Sequence, residues 1–170
     1  VSFQGDGVEV TLADYQVIAG VALYTSQEGY TNGLRIDNYG TLTVRGSLAF
    51  NSQTGTGLVY GIRNFSGASL TIDNASVSQN AVTSNYAYTI WNNGGTVEIR
   101  NGSTISIRSD SNGSDYYMTA IRNDQGAVLN ISDSSITAES RGSDNSVFGI
   151  RNDGSATVTD SMIDATGYKI

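Results

Sequence analysis

The chain has no cysteine, no proline and no histidine in its 170 residues. Without cysteine there are no disulfides, no thiolate zinc sites and no thiol nucleophile. Without histidine the commonest general base and metal ligand are missing. Without proline every residue keeps its backbone N–H, which suits strands paired on both edges. Cations are scarce: 9 Lys and Arg against 16 Asp and Glu leave a formal net charge of −7. That is the wrong sign for a nucleic-acid surface. No run approaches the ~20 apolar residues of a membrane-spanning helix. No signal-peptide pattern is visible, so any targeting segment is expected outside these residues.

Turn-forming residues are plentiful instead, with 20 Gly and many Asn, Asp, Ser and Thr. They punctuate a repeat. Ile-Arg-Asn occurs at Ile62-Arg63-Asn64, Ile121-Arg122-Asn123 and Ile150-Arg151-Asn152, with variants at Ile36-Asp37-Asn38 and Ile90-Trp91-Asn92. Successive isoleucines are 26, 28, 31 and 29 residues apart. A near-constant period with drifting length marks a solenoid whose coils differ in their loops.

Each repeat reads the same way. An alternating Leu/Tyr/Phe-x-Ile segment comes first, as in Tyr60-Gly61-Ile62 and Phe148-Gly149-Ile150. Its alternation predicts a strand with both apolar residues on one face. The Asn and a glycine turn follow, at Gly40, Gly67, Gly94, Gly126 and Gly154. A second strand comes next, for example Leu70-Thr71-Ile72, and after another bend a third apolar position: Leu48, Val77, Ile105, Ile136, Ile163. Such a coil cannot bury its apolar face alone, so coils must stack with each strand on its copy. The expected fold is all-β: a right-handed parallel β-helix of about six coils of 26–31 residues, with three short strands per coil. At ~4.8 Å per stacked strand the rod would be roughly 30 Å long. Residues 1–170 form one domain, with 1–30 as an irregular first coil or cap and 31–170 as regular coils. Val21 to Gln27 is expected to make a partial coil, and Val8-Glu9-Val10 to begin or cap the stack. Neither end carries a capping helix, so the chain is expected to be a fragment of a longer solenoid.

The most regular polar column is Asn38, Asn64, Asn92, Asn123 and Asn152. Stacked at one turn, these amides can bond coil to coil as a structural ladder. One residue earlier, Asp37, Arg63, Trp91, Arg122 and Arg151 should point outward. Trp91 between two arginines favours cation–π contact and offers a stacking platform for a sugar or protein partner. Arg122 and Arg151 would repel at ~5 Å unless Asp124 and Asp153 intervene. The candidate binding residues are therefore Arg63, Trp91, Arg122, Arg151, Asp124 and Asp153.

Asp124 and Asp153 are the one obvious carboxylate pair on adjacent coils, which a glycosidase would need. Both stand in turn sequences where Asp is favoured for backbone reasons, so no catalytic residue is assigned. Asp110 to Asp115 alternates oxygen donors but lacks the spacing of a calcium loop, and no metal site or cofactor is assigned. Polar loops at Thr25–Gly33, Asn51–Gly57, Ser78–Asn85, Arg108–Asp115 and Ala138–Ser146 should gather on one side of the rod. An outward Thr43, Thr71, Thr157 column is broken by Glu98 and Asn130, which argues against an ice-binding array.

The motif Gly-Ile-x-Asn-x-Gly-x-Leu-Thr-Ile-x-x-Ser-x-Ile, carried by Gly61 to Val77 and Gly149 to Ile163, resembles the repeats of bacterial surface β-helices. Autotransporter passengers and related adhesins are the nearest likeness, over roughly Gly33 to Ile170. The resemblance implies a secreted or outer-membrane-anchored location at the cell surface and a role in cell adhesion and virulence. It implies a host glycan, a host protein or an identical passenger as partner, with no nucleic acid and no span through the membrane. The expected function is thus a non-enzymatic adhesin rod. The alternatives are a polysaccharide-active β-helix enzyme (a lyase, glycosidase or tailspike depolymerase) and a structural spacer.

Overall fold

In the computed structural model the chain is built from strands. The structure describes backbone strands at Ser2–Gly5, Val8–Thr11, Tyr15–Ile18 and Val21–Tyr24, and residues 35–55, 58–83, 86–109, 117–141 and 146–167. Side chains are described for 35–50, 58–81, 86–109, 117–141 and 146–167.

The Ile-x-Asn repeats stack as the period requires. Arg35–Asn38, Val59–Phe65, Tyr86–Asn93, Tyr117–Asn123 and Ser146–Asn152 form one parallel sheet, in which Ile36, Ile62, Ile90, Ile121 and Ile150 are in register. The second and third strands of every coil belong to another sheet. Its second strands align Leu42, Leu70, Val97, Leu129 and Ala156, and its third strands align Leu48, Val77, Ile105, Ile136 and Ile163. In the first two coils these two strands run on without a break, as Thr41–Gly55 and Ser69–Thr83. The result is a parallel β-helix of about four turns.

Six coils were expected, and five first strands stack in parallel. The difference lies at the beginning. Val21–Tyr24 pairs antiparallel with Arg35–Asn38, and Tyr15–Ile18 pairs antiparallel with the strand that starts at Thr41. Ser2–Gly5 and Val8–Thr11 pair antiparallel with each other. Among the described residues, no strand before Arg35 pairs in parallel. The antiparallel strands occupy hydrogen-bonding positions that an earlier coil would fill, and so cover the edge of the stack.

Core columns run between the sheets. Ile62, Leu70, Ile72, Val77, Ile90, Val97, Ile99, Ile105, Ile121, Leu129 and Ile136 are fully buried. Ser78 to Thr83 continues a strand instead of starting a loop. Asn51 to Gly55 likewise continues a strand where a loop was expected, while the Thr25–Gly33 loop, the Asp110–Asp115 segment and residues 142–145 fall outside the described residues.

Candidate functional site

The asparagine column fixes the first bend. Asn38 donates through Nδ2 to Asn64 Oδ1 at 2.7 Å, Asn64 to Asn92 at 3.0 Å, Asn92 to Asn123 at 2.8 Å and Asn123 to Asn152 at 2.7 Å. The second proton of each amide goes to a backbone carbonyl: Ser69, Thr96, Val128, Ser155 and, for Asn152, Gly154. Asn38, Asn64, Asn92 and Asn123 have no solvent exposure, so leaving any amide unpaired would be costly. The turn closes tightly over the column. A Cβ on Gly154 would lie 2.5 Å from the Asp124 and Ala127 carbonyl oxygens.

The outer face of the same sheet carries the candidate binding residues. The Arg63 guanidinium lies 3.9 Å from the Trp91 ring centroid and 4.3 Å from that of Phe65, and it donates to Asn93 at 2.9 Å. Trp91 donates through Nε1 to Asp124 at 2.7 Å. Arg122 bonds Asp124 through Nε at 2.6 Å and pairs with Asp153 through Nη2 at 2.6 Å. The two carboxylates thus pair with Arg122, one member of the arginine column. Arg151 is exposed and makes no ion pair among the described residues.

Three expectations change. Trp91 is no open platform, because Arg63 covers one face and Tyr60 and Tyr88 meet it at 74° and 61°. Asp37 is buried, taking a hydrogen bond from the Tyr60 hydroxyl at 3.0 Å with Arg35 at 4.0 Å. Tyr60 and Tyr88 do not share the inward face of Ile62 and Ile90. The residue between them, Gly61 or Thr89, faces inward as well: a Cβ on Gly61 would strike the buried Phe50 ring, and Thr89 Oγ1 bonds the Ser106 carbonyl at 2.8 Å. Two successive inward residues push the preceding aromatic outward. The column of small residues at Gly61, Thr89, Ala120 and Gly149 is the sequence signal for this step.

Further aromatics join the face that the repeat motif did not mark. Tyr39 stacks on Phe65 at 4.2 Å, and Tyr86 stacks on Tyr117 at 5.1 Å. Among described side chains, every aromatic except Phe50 lies on or beside this face. Tyr39, Tyr86, Tyr117 and Phe148 are 37–52 % exposed.

The electrostatics follow from these contacts. Burial alone would push the Asp124 carboxyl up. Hydrogen bonds from Trp91, Arg122 and Asn93 outweigh it and hold the group below the ordinary carboxylate range. Burial and the neighbouring Asp37 carboxylate push the Tyr60 hydroxyl far up, and burial pushes Tyr88 up. A glycosidase acid must stay protonated near neutrality, which requires a raised pKa. Asp124 is shifted the opposite way, and Asp153 faces it across the Arg122 guanidinium. Among the described residues no group of three or more Asp or Glu is placed to hold a metal ion. No helix of the described residues is long and apolar enough to cross a membrane. No protein-family model, curated protein or solved structure matches the chain.

Proposed function

We propose that this chain is a non-enzymatic adhesin segment of a bacterial cell-surface or secreted protein, a β-helical rod that meets its partner with the outer face of its first sheet. The observation that carries the reading is the gathering of aromatics and arginines on that face. Tyr, Trp and Arg are the residues that dominate binding energy at protein contacts. The ionised, arginine-paired state of Asp124 supports an adhesive role over hydrolysis, since the obvious carboxylate pair is committed to one arginine. The repeat's resemblance to passenger domains supports the surface location.

The test is adhesion by the purified chain on beads, against host cells, a glycan array and beads bearing the same chain. Attachment to at least one of these is expected. Failure on all three, together with reducing-end release from a polysaccharide panel that disappears in Asp124→Asn, would replace the adhesin with an enzyme.

A further inference from the structure

Resting on the reading of this face as the binding surface, we infer that its occupant is a second copy of this chain, paired face to face about a two-fold axis parallel to the rod. The rings argue first. Sugars bind aromatic side chains through open ring faces. Here Arg63 covers Trp91, Tyr39 stacks on Phe65, and Tyr86 stacks on Tyr117. The face therefore offers ring edges, hydroxyls and one unpaired guanidinium, Arg151, on a flat sheet. That suits another flat protein surface.

The columns then choose the symmetry. Sheet register places Tyr60, Tyr88, Thr119 and Phe148 in one outward column and Arg63, Trp91, Arg122 and Arg151 in another, three residues further along each strand. A two-fold axis along the strands reverses the coil order and keeps each column facing itself. With the four coils from Arg63 to Arg151 overlapping, Arg63 would meet Arg151 of the second copy, a like-charge clash between guanidinia that have no carboxylate partner among the described residues. An axis along the rod turns the strands end for end and keeps each coil opposite its own copy. Arg151 then meets Phe148, the exposed member of the other column, and the Tyr117 hydroxyl meets the Asp124 carboxylate. Every contact occurs twice, as an isologous interface requires. Five strands ~4.8 Å apart and about eight residues of ~3.3 Å give a face of roughly 500 Å². Two such faces bury about 1,000 Å², the lower limit for a specific interface. The dimer should form on concentration and dissociate on dilution.

The absence of cysteine makes the geometry testable by single-cysteine variants. Chains carrying Phe148→Cys and chains carrying Arg151→Cys are mixed and mildly oxidised. A mixed disulfide dimer is expected, in clear excess over either variant oxidised alone and over a control with Glu139→Cys, an exposed position on the other sheet. Sedimentation equilibrium should show wild-type dimers and roughly tenfold or greater weakening in Arg151→Glu. A wild-type chain that stays monomeric at its highest soluble concentration overturns the pairing, as does a mixed disulfide no more abundant than the control. If that monomer still binds host cells or glycans through a surface sensitive to Arg151→Glu, the adhesive reading stands and the self-pairing falls. If it binds nothing, both fall.

Discussion

Within the described residues each coil bends twice, and the two bends are built differently. At the first, side chains of successive coils bond one another: Asn38 to Asn152 form an unbroken amide ladder. At the second, the backbone turns by itself. Asn74, Asn101, Asp133 and Asp160 adopt φ of 49°, 58°, 46° and 47°, left-handed values that short polar side chains tolerate best. A small residue follows and links neighbouring coils only locally: Ser103 Oγ accepts from Ala75 N–H at 3.2 Å, and Ser161 Oγ from Ser134 N–H at 3.1 Å. The first bend needs the same residue in every coil, because each amide is donor to one neighbour and acceptor for the other. The second needs only a residue willing to take positive φ, so Gly46, Asn and Asp interchange.

The largest effect should come from the core column that both bends close around. Ile121→Ala is expected to cost about 2–5 kcal/mol through the cavity it leaves, read as a lower urea midpoint. In a stack, that loss weakens coupling to the coils on both sides.

Next, Asn92→Ala breaks the ladder in its middle. It removes the acceptor for Asn64 and the donor for Asn123 and the Val128 carbonyl, all within the covered bend. With three groups losing their partners, at about 1 kcal/mol each, the cost is about 3 kcal/mol. At the second bend Asp133→Ala should cost only about 1 kcal/mol, because alanine lacks the short polar side chain that eases left-handed φ. Asp133→Gly should stay within about 0.5 kcal/mol of wild type, since glycine takes that conformation freely. Equal losses at the two bends would erase the distinction.

Acid sharpens the contrast at the first bend, where Asp124 follows the ladder residue Asn123. Its folded pKa lies below the ordinary value of 3.8. The unfolded chain therefore takes up the proton first as pH falls. The stability Asp124 contributes is complete above the ordinary pKa and is lost as pH falls through the folded one. Asp124→Asn should flatten the acid limb of a stability–pH profile below about pH 4.

Much of this was legible because stacking enforces identity. The isoleucines and asparagines recur since each must touch its own copy, and their spacing gave period, register and ladder. The second bend was harder to read, because three residue types satisfy one backbone demand. The start of the chain was misread because Val21 to Tyr24 carries strand-forming residues whose pairing direction no local pattern encodes. The outward aromatics were misread by a simple alternation rule. Tyr60 and Ile62 stand two apart, yet the inward Gly61 between them breaks the period. Arg122 was expected only to point outward. With its side chain 17 % exposed and held by Asp124 and Asp153, its loss should be felt, although less than that of Ile121.

The core and asparagine columns that hold the fold lie beneath the face proposed for binding. The most direct test is the binding of Arg151→Glu, Tyr117→Ala protein to whatever surface or copy the wild-type chain holds, with the urea midpoint measured on the same sample. The prediction is lost binding with stability lowered by no more than about 0.5 kcal/mol by Arg151→Glu, which is exposed, and by about 1 kcal/mol by Tyr117→Ala, which gives up its stack on Tyr86. Full binding by the double variant, folded and stable, would contradict it.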